Sequence, residues 1–340
     1  MSKRRFHLVG IGPLFEDLII DIHAKYTHEI IYERGVMKHL CLVAGLKEVA
    51  RDFSRSTGGS SANIVCMLSR LGDYSMGYFS KLGSDAISEW LITDLQDFGI
   101  NTDGIIREEG EAGASIIVTD PTIRDRSIIS YRGIGDRISP GDIQRKKEYL
   151  LDAEWHNIDS FARITTIEAV TDLIELEKES GIKLFFTPSM SMISAFRDET
   201  LKVVPHSHVL SLNDVEAMEL LGVNDVLKAA RFLQDLGPEI VFVTLGKKGI
   251  IAVDSEKCYQ IGTYFVKVAN TVGAGDVCAA VFWDGLYREL GIEEILWRAS
   301  AASSIKVQTP SAKKGLPDNE QIKKFLEEKG KKPVEITEKP

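Results

Sequence analysis

A chain of 340 residues can bury a large core, as one big α/β domain or a core with a small accessory unit, and its 44% apolar and 27% charged residues are ordinary for a globular protein. The formal charge of -9 argues against nucleic acid as a partner, because a phosphate backbone calls for a basic surface. No apolar run approaches the length of a membrane span, and the run behind Lys3-Arg4-Arg5 is broken by Glu16, Asp17 and Asp21, too polar for a signal peptide. The dispersed cysteines, Cys41, Cys66, Cys258 and Cys278, form neither a metal knuckle nor a redox pair, so the expected setting is a reducing cytoplasm.

In chain order, Phe6 to Ile11 predicts a first strand that enters the turn Gly10-Ile11-Gly12-Pro13, and Leu18 to Ile22 a second. Asp17 follows that strand and turn, where ligand-facing residues of α/β proteins tend to sit. Ala24 to Phe53 is poorly periodic, with Leu40 to Ala44 as a candidate strand of an accessory sheet. Gly58-Gly59 then opens an apolar helix that runs to Gly72, and Asn63 projects from its first turn. Ser75 to Ser80 predicts a strand, Lys81 to Asp85 a turn, and Ala86 to Phe98 an amphipathic helix capped by Gly99. From here the βα alternation favours a doubly wound, mostly parallel sheet. Ala114 to Thr119 and Ser127 to Tyr131 interrupt it as a hairpin, followed by Arg132, which is within reach of a phosphoryl group.

The alternation resumes with strands at Trp155–Ile158, Lys183–Phe186, His208–Leu212 and Ile240–Thr244, and Ile250–Val253 returns as a hairpin partner. Helices are expected over Thr166–Ser180, Glu199–Val204, the stretch opened by Asn213-Asp214-Val215-Glu216, and Val226–Leu236. His206 and His208 lack a third ligand at useful spacing and are not expected to bind metal. The charged residues 327–340 predict a frayed tail.

Asn270-Thr271-Val272-Gly273-Ala274-Gly275-Asp276 leads into an apolar helix. Its two glycines let a ligand approach the backbone, and the first helical amides form an anion site. Asp276 faces that anion; a carboxylate beside a phosphate needs a reason, and proton abstraction from a hydroxyl is a good one. Neither a G-x-x-x-x-G-K-[ST] loop nor a protein-kinase catalytic loop is present, and Gly10-Ile11-Gly12 lacks the remaining glycine of a dinucleotide fingerprint.

Five segments in order resemble the ribokinase/PfkB carbohydrate kinase family: Gly58-Gly59 with Asn63, Leu82 to Asp85, Asn213 to Glu216, Thr244 to Gly249, and Asn270 to Asp276; the stretch between Ala24 and Arg55, longer than a minimal ribokinase needs, resembles its adenosine-kinase-like and fructokinase-like branches. The resemblance runs from about Val9 to Pro317. It implies a ribokinase-like α/β fold over residues 1–320, with lid segments within 18–50 and 112–132. It also implies an ATP-dependent phosphotransferase that acts on an alcohol group of a sugar or nucleoside. Asp276 is then the general base, and the amides of Gly273, Ala274 and Gly275 the anion hole. Asn213 and Glu216 organise phosphates and Mg²⁺, with Glu216 acting through water. Thr244, Gly246 and Gly249 belong to the nucleotide site, and Asp17, Gly59, Asn63 and Arg132 to the acceptor site. The implied assembly is a monomer or a lid-mediated homodimer, with no membrane partner.

Three positions depart from the family pattern. Asn270 replaces the acid that helps arrange a monovalent-cation site in potassium-activated members, which leaves that dependence open. Thr187-Pro188-Ser189 replaces an Asp-x-Asn segment, and Ser61 replaces a glycine. These changes motivate the alternative of a catalytically reduced nucleotide or sugar sensor on the same fold.

Overall fold

The protein is described here by a computed structural model, which covers residues 4–22, 26–32, 35–41, 44–45, 47, 49–120, 125–309, 313 and 315–338. Its strands in chain order are β1 (Phe6–Ile11), β2 (Phe15–Asp21), β3 (Tyr26–Tyr32), β4 (Gly35–Cys41), β5 (Asp52–Gly58), β6 (Met76–Phe79), β7 (Lys81–Leu82), β8 (Ile106–Arg107), β9 (Gly113–Asp120), β10 (Asp125–Tyr131), β11 (Ala153–Ile158), β12 (Lys183–Phe186), β13 (Val209–Asn213), β14 (Ile240–Thr244), β15 (Ile250–Val253), β16 (Lys257–Ile261) and β17 (Val334–Glu338). The helices are α1 (Ser60–Leu71), α2 (Ala86–Asp97), α3 (Pro140–Arg145), α4 (Lys147–Leu151), α5 (Ile164–Ser180), α6 (Met190–Ala195), α7 (Arg197–Val203), α8 (Asp214–Leu221), α9 (Val226–Asp235), α10 (Ala274–Tyr287), α11 (Ile292–Lys306) and α12 (Asn319–Lys329).

A 9-stranded sheet runs in the order β17-β16-β15-β14-β13-β12-β11-β1-β6. From β14 to β6 every pairing is parallel, and β15, β16 and β17 add antiparallel strands at one edge. The central strands are apolar almost throughout, as strands buried on both faces must be. Alternate side chains divide between two cores. Leu8, Phe185, Phe242, Ile250 and Ala252 enter the core shared with α1, α10 and α11. Val9, Phe186, Val241, Val243 and Ile251 enter the core shared with α5, α8 and α9. This two-sided division is the doubly wound arrangement expected from the βα rhythm. No helix among the described residues is long and apolar enough to cross a membrane.

A second sheet, ordered β10-β9-β2-β5, forms the small lid-like unit. Three expectations are corrected here. The fourth strand of this sheet comes from Asp52–Gly58, beyond the 18–50 segment, because its Arg55, Ser56 and Thr57 pair along β2. Of the expected Leu40–Ala44 strand, Leu40 and Cys41 end β4, which pairs with β3 in a separate two-stranded sheet, and Leu42 and Val43 lie outside the described residues. The C-terminal segment is also corrected: Val334–Glu338 pairs residue for residue with β16 and closes the sheet edge, so it is not frayed. Its charges suit an exposed edge strand, where they oppose pairing with other chains.

Candidate active site

The named segments converge because of strand polarity. In an open parallel sheet, the loops after the carboxyl ends of the strands line one crevice. Gly12 follows β1, Asp159 follows β11, Thr187 follows β12, and Asn213 and Thr244 end β13 and β14 as direct cross-strand partners. Asp17 comes from β2 of the small sheet, beside Ser56 of β5 and Ser115 of β9.

Asp276 occupies the first turn of α10. Its carboxylate is held from across the crevice by the first turn of α1: Ser60 Oγ donates to Oδ1 at 2.5 Å, and Asn63 Nδ2 donates to Oδ2 at 2.7 Å. Asn63 Oδ1 is a buried acceptor with no partner among the described residues. A buried amide oxygen left unpaired costs free energy unless a ligand donates to it. Gly273 takes a left-handed φ of 76° as the N-cap, and no side chain caps this helix. A Cβ on Gly275 would meet nothing within 4 Å, so the space above this residue is open. The Ala274 N–H already donates to the Thr271 carbonyl at 3.2 Å. Of the three proposed anion-hole amides, Ala274 would therefore have to give up or share a turn contact.

Four other groups respond to the charge of Asp276: Asp17, Asp159, Lys306 and Glu216. Asp17 is buried against Gly58, where any Cβ would strike its carboxyl group, and desolvation raises its pKa to about 7, with Ser115 acting in the opposite direction. Asp159, 4% exposed, is likewise raised to about 7 by desolvation, partly offset by amides. Those amides are Ser160 N at 2.6 Å and Ser61 N at 3.2 Å. Because Gly59 supplies no capping side chain, Asp159 serves as the anion at the start of α1. Lys306, 0% exposed at the end of α11, is lowered to about 8 by desolvation, with the Asp276 carboxylate opposing the shift.

Asn213 and Glu216 form a reciprocal capping box: Asn213 Oδ1 accepts from Glu216 N at 2.9 Å, and Glu216 Oε2 accepts from Asn213 N at 2.8 Å. Met190 N donates to Glu216 Oε1 at 3.1 Å. Burial raises the pKa of Glu216, and the charge of Asp276 adds to the shift. Thr244 leads into a turn over Gly246–Lys248, closed by Leu245 N to Gly249 O at 2.8 Å. Gly249 also has a packing reason to be glycine, because a Cβ there would collide with the Ile261 carbonyl.

The departures are accommodated within the fold. Thr187 is buried: its hydroxyl accepts from Asn157 Nδ2 at 3.1 Å and donates to Ile158 O at 3.1 Å. Ser189 bonds Ser160 at 2.7 Å and Ser191 at 2.9 Å, and Ser191 accepts from Arg132. The guanidinium of Arg132 lies 5.6 Å over the Phe15 ring, and its charge lowers Asp159. Asn270 Oδ1 accepts from Val272 N at 2.8 Å and closes a local turn.

Sequence reasoning missed Ser60, Asp159 and Lys306. Ser60 adjoins the diglycine and Asp159 ends a strand, so both carried a positional signal. Lys306 is a lone charge in the small-residue run Ala301-Ala302-Ser303-Ser304-Ile305-Lys306, which marks a helix that buries it.

Residues 32–319 match the family described as pfkB family carbohydrate kinase. A 5-dehydro-2-deoxygluconokinase of Listeria monocytogenes is 27% identical over 341 residues, which cover 96% of this chain and 97% of that protein. Ribokinase from Thermotoga maritima superposes with a TM-score of 0.75 at 22% identity, over 95% of this chain and 99% of that one. A candidate ribokinase II from Escherichia coli, solved with ATP and Mg²⁺, gives a TM-score of 0.77 at 17% identity, again over 95% and 99%.

Proposed function

The chain belongs to the pfkB family of carbohydrate kinases, and from that premise we propose that it transfers the γ-phosphoryl group of ATP to a hydroxyl of a sugar acid, with Asp276 as general base. The observation that carries this reading is the Asp276 carboxylate, held by Ser60 and Asn63 beside the Asn63 Oδ1, which has no partner among the described residues. An acceptor hydroxyl that donates its proton toward Asp276 leaves the Asn63 oxygen free to accept from a neighbouring hydroxyl of the same sugar. The acceptor oxygen forms its bond to phosphorus as the bond to the bridging oxygen of ADP breaks, and the proton passes to Asp276. The start of α10 faces the charge on the transferring group, where positioning and electrostatics supply most of the rate.

The residues present fit Mg²⁺ as a hydrated ion. Each Glu216 oxygen spends one lone pair on a backbone amide and keeps another for water. Among the described residues no three of His, Cys, Asp and Glu converge to hold a metal ion directly. Mg²⁺ would neutralise phosphate charge, while Asn213 and Glu216 hold its water shell. The E. coli relative carries ATP and Mg²⁺, which supports the donor assignment.

A sugar acid is favoured by the name of the Listeria relative and by Arg132, placed between Phe15 and Ser191 near Asp159. ATP turnover over 5-dehydro-2-deoxygluconate, ribose, fructose and adenosine tests the assignment. The carboxylated sugar is expected to give the highest kcat/KM, and Arg132→Ala to raise its KM about 10-fold through loss of a charge-assisted hydrogen bond. A neutral acceptor preferred by wild type, with Arg132→Ala silent, would exclude the sugar-acid reading.

A further inference from the structure

Helices α10 and α11 form an antiparallel hairpin whose closeness is set by Gly285, where a Cβ would lie 2.5 Å from Ile295 Cγ1. That pairing brings the last turn of α11 beside the first turn of α10. Ser303 Oγ donates to the Ala274 carbonyl at 3.2 Å, and the Val307 carbonyl accepts from Ala269 N at 2.7 Å and Asn270 N at 3.1 Å. Lys306 lies between these contacts and is fully buried. A buried ammonium is expensive unless other groups compensate it. Among the described residues two groups compensate it: the carboxyl end of α11, which favours a cation, and the carboxylate of Asp276. Burial draws its pKa down to about 8, so the group still carries its charge at neutral pH.

Asn270 offers no formal charge to hold a separate monovalent cation, and its side-chain oxygen already accepts from Val272 N. We propose that Lys306 is the built-in monovalent cation of the phosphoryl-transfer site: its ammonium supplies the fixed charge beside the Asn270–Asp276 turn that a bound K⁺ would otherwise supply, and turnover needs no added monovalent salt. This rests on the kinase reading above. Lys306 acts through Asp276 and the turn, as a positioning residue.

The test compares wild type, Lys306→Ala and Lys306→Met in tetramethylammonium, potassium and ammonium salts at matched ionic strength. It follows ATP turnover, and separately the Tm without substrate. Wild type is expected to keep its rate within twofold and its Tm unchanged across the salts. Lys306→Ala should lose about 100-fold in kcat/KM, the scale of removing one preorganised charge-stabilising group. Ammonium should restore at least about 10-fold of that loss and raise the Tm of Lys306→Ala selectively. Lys306→Met, which fills the volume without the charge, should lose the rate and not be rescued. Potassium activation of wild type overturns the proposal. So does a Lys306→Ala variant that stays within threefold of wild type, or one that no small cation restores in rate or Tm, which would make Lys306 a packing residue. If wild type turns over no acceptor, the kinase assignment fails instead, and selective stabilisation of Lys306→Ala by ammonium still decides the role of Lys306.

Discussion

Asp276 shows how one side chain acquires its proposed role from residues over two hundred positions away in sequence. Ser60 and Asn63 fix both its oxygens. Gly275 separates the needs of folding from those of binding. Its φ is not left-handed and its Cβ position is open, so the fold gains nothing from glycine there. Gly275→Ala is therefore expected to keep or slightly raise Tm, since alanine favours helix, while kcat/KM falls at least about 10-fold as the methyl enters phosphoryl space. Unchanged kinetics in a folded Gly275→Ala protein would place the phosphoryl group elsewhere. The motif at Asn270–Asp276 was legible in sequence because small residues before a buried helix have few other uses. Asp159 and Lys306 were not, because a strand-end acid and a lone lysine take their meaning only from neighbours distant in sequence.

The βα rhythm gave the strands of the large sheet to within a few residues, since a strand buried on both faces reads as a short apolar run. The edges were harder to read. Lys257–Ile261 and Val334–Glu338 are half polar, and their pairing is stabilised by contacts between segments more than seventy residues apart. The final segment is anchored beyond the ladder: Trp297 Nε1 donates to Lys332 O at 2.7 Å, and Tyr264 OH to Gly330 O at 3.0 Å. Deleting residues 330–340 is therefore expected to lower Tm by several degrees and to promote association through the uncovered β16 edge. Sedimentation and thermal melting would show it, and a monomeric truncation with wild-type Tm would mean that β17 is dispensable. The small sheet was legible in part, as a hairpin interrupting the rhythm, but Asp52–Gly58 was not, because its exposed first half carries no apolar alternation.

At the scale of the molecule, two sheets meet around one crevice. The large sheet brings the ends of β1, β11, β12, β13 and β14 to one edge, and the small sheet supplies Asp17. Membership of the pfkB carbohydrate kinases follows from the match over residues 32–319, and the proposed chemistry follows from what meets at that edge. The most direct test is single-turnover phosphoryl transfer from ATP to the best acceptor of the panel, comparing wild type with Asp276→Asn. The neutral amide keeps the shape of the side chain but cannot take the proton. The account predicts a rate at least about 100-fold lower, the range of a lost general base, with acceptor binding within a fewfold of wild type. An Asp276→Asn protein that transfers phosphate at the wild-type rate would contradict it.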